Sequence, residues 1–207
     1  MKTNNITFNG INISNADILG YKMKIYKLTH NDAPFIEKLG QNINLKKLTP
    51  QITQEEFDIY NSIFHRSLDN ALHNKNTSLL LSCGDKPCGI IVNIPQMHTH
   101  FIDYVCTWPL EPNKKAPFGA QTLFVQIFKN FLETNAKSIE LYAIRFGGAI
   151  SKYIRIGFKS MGGDNYTELM KISREKVAEY YKKLNEHINL EPTNNHEDID
   201  LLKELKY

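Results

Sequence analysis

Two short apolar runs on either side of a tight turn commit the middle of this chain to β-structure. Residues 78–83 (SLLLSC) and 88–94 (CGIIVNI) have strand length, and residues 84–87 (GDKP) between them combine glycine and proline, which is typical of a turn. Residues 100–107 are rich in aromatic and β-branched side chains and predict another strand. A sheet therefore forms the centre of the predicted fold.

Helical patterns occur on both sides of this central region. Before it, Thr53 and Glu56 form a capping box, and apolar residues follow at helical spacing. After it, residues 120–133 carry one broad apolar stripe. The remaining predictions are an arm or edge strand within residues 1–20, a strand at 23–28, a helix from Asn31 or Asp32 to Gly40, a strand at 138–144, a helix at 149–156 and a strand at 166–172. This order predicts an α+β (or α/β) fold, a mixed sheet with helices on both faces.

Charge and cysteine content exclude several classes of function. The 207-residue chain has 25 basic and 22 acidic residues, and the net charge of +3 is too small to indicate binding to nucleic acid or a membrane surface. Three cysteines do not make a disulfide framework. The N-terminal residues lack the apolar core of a signal peptide, and the apolar runs are shorter than a membrane span. We expect a cytoplasmic protein without nucleic-acid or membrane partners.

The character of the chain changes at Arg174. An amphipathic helix is predicted first, then a hinge at residues 190–197, then a second helix carrying Ile199, Leu201, Leu202 and Leu205. We therefore divide the chain into a domain at residues 1–173 and a helical appendage at residues 174–207. The appendage packs either on the domain or on a second copy, so a homodimer is one expectation.

A strand, a glycine-containing loop and a helix follow one another between residues 101 and 130. The N–H groups at the start of such a helix favour an anion, typically phosphate. Gly119 has no β-carbon and would let a ligand approach the backbone, and Lys114 and Lys115 precede it. A phosphate-bearing ligand is one interpretation, and an ordinary connection is the other.

Residues 149–158 (AISKYIRIGF) carry the most specific motif. This segment resembles the A-I-x-L-Y-E-K-L-G-F pattern of the GNAT superfamily of acyl-CoA-dependent N-acyltransferases. The resemblance extends over residues 78–172 and implies a mostly antiparallel sheet, here with a C-terminal helical extension. The family's Q/R-x-x-G-x-G/A loop matches in two registers, one with Lys115, Phe118 and Ala120 and one with Gly119 as the last glycine.

The resemblance implies acetyl-CoA as acyl donor and no metal. The pyrophosphate would bind the loop and helix start, namely Lys115, Phe118, Gly119, Ala120, Gln121 and Thr122. The strands at residues 100–107 and 138–144 would separate, and the backbone of Val105, Cys106 and Thr107 would bind the pantetheine arm and polarise the thioester.

The resemblance also implies catalytic roles. Tyr153 matches the family's proton donor for the leaving thiolate. His100 and Asp103 are candidates for the base, and Glu140 is a third. The competing interpretation of Tyr153 is a tyrosine packed on the sheet.

Three alternatives remain at this point. Cys83, Cys88, His98 and His100 could form a metal site, although their spacing is not that of a zinc finger. Cys106 could be a thiol nucleophile. Finally, the altered loop could belong to an inactive GNAT-like binding or interaction module.

We expect an N-acetyltransferase acting on an amine that the sequence does not identify. Residues 41–73 and 107–117 would determine the acceptor, and the long 107–117 loop could admit acyl groups larger than acetyl.

Overall fold

The structure, a computed structural model, describes residues 8–196. The strands are β1 (Ile11–Ile18), β2 (Tyr21–Lys27), β3 (Ser78–Cys83), β4 (Lys86–Pro95), β5 (Thr99–Thr107), β6 (Pro109–Glu111), β7 (Lys114–Lys115), β8 (Ser138–Ile144), β9 (Lys159–Gly163), β10 (Thr167–Ser173) and β11 (Glu191–His196). The helices are α1 (Ala33–Asn42), α2 (Leu45–Leu48), α3 (Gln54–His73), α4 (Gly119–Leu132), α5 (Ala149–Arg155) and α6 (Arg174–Ile188).

Nine of these strands form one sheet in the order β11-β1-β2-β3-β4-β5-β8-β10-β9. Neighbouring strands are antiparallel except β5 and β8, which are parallel. β6 and β7 form a separate small hairpin. The predicted fold class is confirmed, because this is a mixed, mostly antiparallel sheet with helices on both faces.

Each face of the sheet has its own hydrophobic core. On one face the apolar stripe of α4, including Ile127, Phe128 and Phe131, packs with α6 against the sheet. On the other face α1 and α3 contribute Phe35, Phe64 and further side chains to a core that contains Trp108. Both helical stripes predicted from the sequence are therefore buried in these cores, where the removal of apolar surface from water stabilises the fold.

The parallel strands β5 and β8 separate halfway along their length. They pair from Thr99, opposite Ser138, to Ile102, opposite Leu141, and no further. At the same place the register between β4 and β5 shifts by one, which leaves Asp103 as an extra residue in a β-bulge. A bulge bends its strand and increases the local twist. The separation that the family resemblance implied is present, and it begins at this bulge.

The capping box of Thr53 and Glu56 opens α3 as predicted. Helix α1 is longer than predicted, since it continues past Gly40 to Asn42. The first residues were expected to form a loose arm or an edge strand. They form strand β1, but β1 is not at the edge of the sheet, because it pairs with β11 on one side and β2 on the other. The strand β9 was not predicted, because its five residues (KSMGG) are all exposed and do not alternate.

The predicted hinge after α6 is wrong, since most of this stretch is strand β11, paired with β1. Val177 and Ile188 of α6 are buried in the α4-side core. The predicted second helix at residues 199–205 lies outside the described residues. The division into 1–173 and 174–207 and the homodimer stay predictions.

Candidate active site

The gap between the separated strands opens into a cavity of about 340 Å³. The end of β5, the start of α4 and the helix α5 surround it. Its lining includes seven of the residues predicted from the sequence: Val105, Cys106, Thr107, Lys115, Ala120, Gln121 and Tyr153. The fold therefore brings six of the nine predicted cofactor residues and the predicted proton donor to one place, whereas Phe118, Gly119 and Thr122 are not among the lining residues.

The first turn of α4 presents backbone donors at this cavity. The N–H of Thr122 donates to the carbonyl of Phe118 at 2.8 Å and begins the helical ladder. The N–H groups of Gly119, Ala120 and Gln121 precede that ladder, as at the start of any α-helix. The Thr122 hydroxyl also donates to the Phe118 carbonyl, at 3.0 Å, so this side chain serves the helix.

Phe118, and not Gly119, has the backbone conformation that is typical of glycine. Phe118 has a left-handed backbone (φ 54°, ψ 19°), which glycine adopts far more readily. This geometry favours the register that places Phe118 on the family's glycine. A β-carbon on Gly119 would meet Leu81 and Thr107 at 3.6 and 3.7 Å, ordinary contact distances. The protein itself therefore leaves space for a side chain at this position, and close approach of a ligand to the Gly119 backbone stays a prediction.

The ionisable side chains that line this cavity favour an anion. Lys115, Lys152 and Arg155 contribute three cationic groups. Among the described lining residues there is no carboxylate. Backbone donors and positive side chains together suit a diphosphate.

Tyr153 is held rigidly on α5 by two aromatic neighbours. Its ring contacts Phe124 and Phe158 edge-on, with ring centroids 5.9 Å apart in each case. Burial raises the pKa of Tyr153 to about 12, so the phenol keeps its proton at neutral pH. The hydroxyl has no hydrogen-bond partner within residues 8–196 and is free to serve a ligand.

The backbone conformation and surroundings of Gly157 explain why the motif has a glycine at this position. Its backbone is left-handed (φ 99°), and a β-carbon would lie 2.6 Å from the Tyr180 ring. Only glycine fits there, and the turn it makes places Phe158 against the Tyr153 ring. Gly157 therefore helps to position Tyr153 without lining the cavity itself.

Cys106 does not have the properties of a nucleophile. The residue is 3% exposed, and burial raises the pKa of its thiol to about 12. Nucleophilic cysteines need a lowered pKa, because the thiolate is the reactive form. The thiol-nucleophile alternative is therefore not supported, and the contribution of Cys106 to the cavity is that of a small wall residue.

The three candidate bases lie outside the described lining of this cavity. His100 is buried, its ring edge-on to Phe131 near the far end of α4, and its nitrogens lie 3.4 and 3.5 Å from Asn93 Nδ2 and Thr134 Oγ1. Glu140 is paired with Lys171 at 2.7 Å. Asp103 is the bulge residue, and burial raises the pKa of its carboxyl. The described lining of the cavity includes none of the three.

A larger cavity of about 610 Å³ adjoins the first and was not predicted as such. The two share Tyr60, Ile63, Lys115, Ala149 and Lys152. Tyr60 stands between them, and its hydroxyl donates to the Thr107 carbonyl at 2.7 Å. In the sequence Tyr60 belonged to an apolar helical stripe, and nothing distinguished it from a core residue.

Two further searches of the described chain concern metals and membranes. Within residues 8–196 no three His, Cys, Asp or Glu side chains form a group that could hold a metal ion. No helix in the same range is both long and apolar enough to cross a bilayer.

The comparisons with known proteins identify the fold. No family model and no curated protein matches the sequence. Among solved structures, the PaiA N-acetyltransferase of Thermoplasma acidophilum in complex with coenzyme A is 16% identical, with a TM-score of 0.51 over 73% of this chain and 98% of that chain. A GNAT-family acetyltransferase of Listeria monocytogenes is 15% identical, with a TM-score of 0.52 over 77% and 99%.

FdhC, a nucleotide-linked sugar GNAT, is 15% identical, with a TM-score of 0.53 over 87% of this chain and 98% of that chain. These likenesses confirm the GNAT fold that the motif at residues 149–158 implied. At such identities they extend to the fold alone.

Proposed function

We propose that this chain is an acetyl-CoA-dependent N-acetyltransferase acting on an amine. One observation carries the proposal: the strand separation, the free helix start and the Tyr153 hydroxyl all meet at one cationic cavity. The GNAT fold of the structural neighbours, one of them in complex with coenzyme A, agrees with this proposal.

The residues present fit an acyl-CoA. The N–H groups of Gly119, Ala120 and Gln121 would hold the diphosphate, together with Lys115, Lys152 and Arg155. The unpaired edge of β5 at residues 103–107 offers backbone groups for the amides of the pantetheine arm. The bound thioester supplies an activated acyl group.

Tyr153 is the proposed proton donor to the thiolate sulfur that leaves when the amine attacks the thioester. Its phenol is protonated at neutral pH, because burial raises its pKa, and no hydrogen bond within the described chain competes for the proton. The amine must lose a proton to become a nucleophile, and we propose that water accepts it. Lys115 and Lys152 disfavour a third cation nearby and so lower the pKa of a bound amine.

Calorimetric titration with acetyl-CoA and with CoA is the primary test. We expect micromolar binding, about −8 kcal/mol. The variant Lys152→Met should weaken binding, whereas Lys176→Met, on α6 and outside the cavity, should not. Absence of binding at millimolar ligand would contradict the proposal and favour an inactive binding module.

The Tyr153→Phe variant tests the proton donor. We expect unchanged acetyl-CoA affinity and a fall in kcat of roughly 100-fold, the usual contribution of general acid catalysis. Tyr166→Phe is the matched control, since Tyr166 is 81% exposed and outside the cavity. Equal kcat values in the two variants would remove Tyr153 from the mechanism.

A further inference from the structure

The larger cavity has a mostly apolar wall. Helix α3, the loop before it and the end of β8 supply most of this wall. Its larger apolar members are Leu48, Ile52, Ile59, Ile63, Pro109, Ile144 and Phe146. A volume of about 610 Å³ lies within the range of small-molecule sites, whose walls are typically apolar with a few placed polar groups.

Charge in this cavity is divided between two sides. Glu56 is the single carboxylate among the described lining residues. Lys115 and Lys152 lie on the side shared with the acyl-CoA cavity. A ligand with one positive group therefore finds one partner, whereas a polycation would meet two lysines and lack further carboxylates.

The Glu56 carboxylate is already oriented before any ligand binds. Its Oε2 accepts the Thr53 N–H at 2.9 Å, because the residue belongs to the capping box of α3. Glu56 is also partly buried. A carboxylate fixed in this way loses little side-chain entropy on binding an ammonium group.

The position of Glu56 suits delivery of an amine to the reaction site. Tyr60 lies one helical turn further along α3, so the two side chains lie on the same helix face. Tyr60 in turn bonds the Thr107 carbonyl at the end of β5, where the acyl-CoA cavity begins. An ammonium beside Glu56 is thus one helical turn from the wall that both cavities share.

We infer that the acceptor is a monoamine on an apolar aliphatic or aromatic body, and that Glu56 binds its ammonium group. This inference rests on the proposed function and names the substrate class of the same site. The apolar body lies against Ile52, Ile59 and Phe146, and Lys115 and Lys152 exclude polyamines.

Binding of amines to the full chain, measured by calorimetry, tests the inference without requiring turnover. The probes are 2-phenylethylamine, ethylamine, 2-phenylethanol and spermidine. We expect 2-phenylethylamine to bind about tenfold tighter than ethylamine, which lacks the apolar body, or 2-phenylethanol, which lacks the charge. Spermidine should bind more weakly than 2-phenylethylamine, and the reverse order would overturn the inference.

The variant Glu56→Gln removes the charge and keeps the capping box, because glutamine serves equally at this position. We expect it to weaken 2-phenylethylamine about tenfold and to leave 2-phenylethanol unchanged. Glu55→Gln is the matched control, since Glu55 lies in the same first turn, is exposed and does not line the cavity. Equal affinities of the two variants for 2-phenylethylamine would overturn the role of Glu56.

Parallel titrations with CoA separate this inference from the proposed function. CoA binding without amine binding overturns the inference and leaves the acyl-CoA site intact. If the wild type binds the amine but not CoA, and Glu56→Gln loses amine binding, the amine site is supported and the acetyltransferase proposal is overturned.

Discussion

Phe118 holds a backbone conformation that costs a residue with a β-carbon about 1–2 kcal/mol. Its ring is 45% exposed, so little apolar burial compensates. We expect Phe118→Gly to raise the free energy of unfolding by about 1 kcal/mol, with part of the gain offset by the greater freedom of glycine in the unfolded chain. Urea denaturation measures this change.

Leu19 provides the control for Phe118. It is also left-handed (φ 54°) and 78% exposed, in the turn between β1 and β2 and far along the chain from the cavity. Leu19→Gly should raise stability by a similar amount without altering acetyl-CoA affinity. A stability loss in both variants would show that the left-handed geometry is not strained.

His100 predicts a dependence of stability on pH. Burial lowers its pKa below the ordinary value of 6.5, so the unfolded chain takes up the proton before the folded protein does. The contribution of His100 is therefore full above pH 6.5 and is lost as pH falls below it. We expect the unfolding free energy of His100→Gln to change less between pH 7.5 and 5.5 than that of the wild type.

The exposed His65 serves as the comparison for His100. His65→Gln should keep the wild-type change in unfolding free energy between the same two pH values. If His100→Gln also keeps it, another group causes the acid sensitivity.

Among the elements, α4 depends on a side chain from another helix at its C-terminal end. The Arg174 guanidinium donates to the carbonyls of Leu132, Thr134 and Ala136 at 2.7, 2.8 and 3.0 Å. The Leu132 carbonyl belongs to the last turn of α4, where helical partners run out, and the other two carbonyls follow that turn. We expect Arg174→Met to lower the free energy of unfolding by about 2–3 kcal/mol, because hydrogen bonds to a charged donor are lost.

Arg66→Met gives the baseline for that measurement, since Arg66 is exposed on α3. It should change stability by less than about 0.5 kcal/mol. A comparable loss in both variants would mean that the carbonyl contacts of Arg174 add nothing.

The elements that could be predicted are those with a strong local pattern. The stripe at residues 120–133 and the capping box at Thr53 gave α4 and α3 because their apolar spacing matches the helical period. β11 (EPTNNH) lacks such a pattern, since proline and asparagine are rare in strands and its pairing comes from β1.

The candidate active site could be predicted only for residues that lie within one continuous segment of the sequence. The motif at residues 149–158 predicted Tyr153 at the cavity, and the loop predicted the helix start. The position of His100 depends on pairing with β4 and β8 and on packing against Phe131, which connect distant parts of the chain. Glu56 and Tyr60 look like ordinary helix residues until the sheet places them beside β5.

At the scale of the whole molecule, the sheet ends at β11, which covers the edge of β1. An uncovered edge strand is a template for pairing with another chain. We expect a variant truncated after residue 190 to self-associate with rising concentration, measured by light scattering. A variant truncated after residue 196 keeps β11 and should associate less than the variant truncated after residue 190; equal association of these two variants would contradict this role.

The extra residue at Asp103 can be seen as a dislocation in the two-dimensional lattice of the sheet. On one side of it, β5 keeps its full contact with β4 as far as Thr107, opposite Gly89; on the other side the match with β8 is lost after Ile102. Substitutions change only side chains, whereas this opening depends on the number of residues in β5. The opening between β5 and β8 therefore depends on the residue inserted between Ile102 and Tyr104. Deletion of that residue would alter the cavity without changing any side chain that lines it.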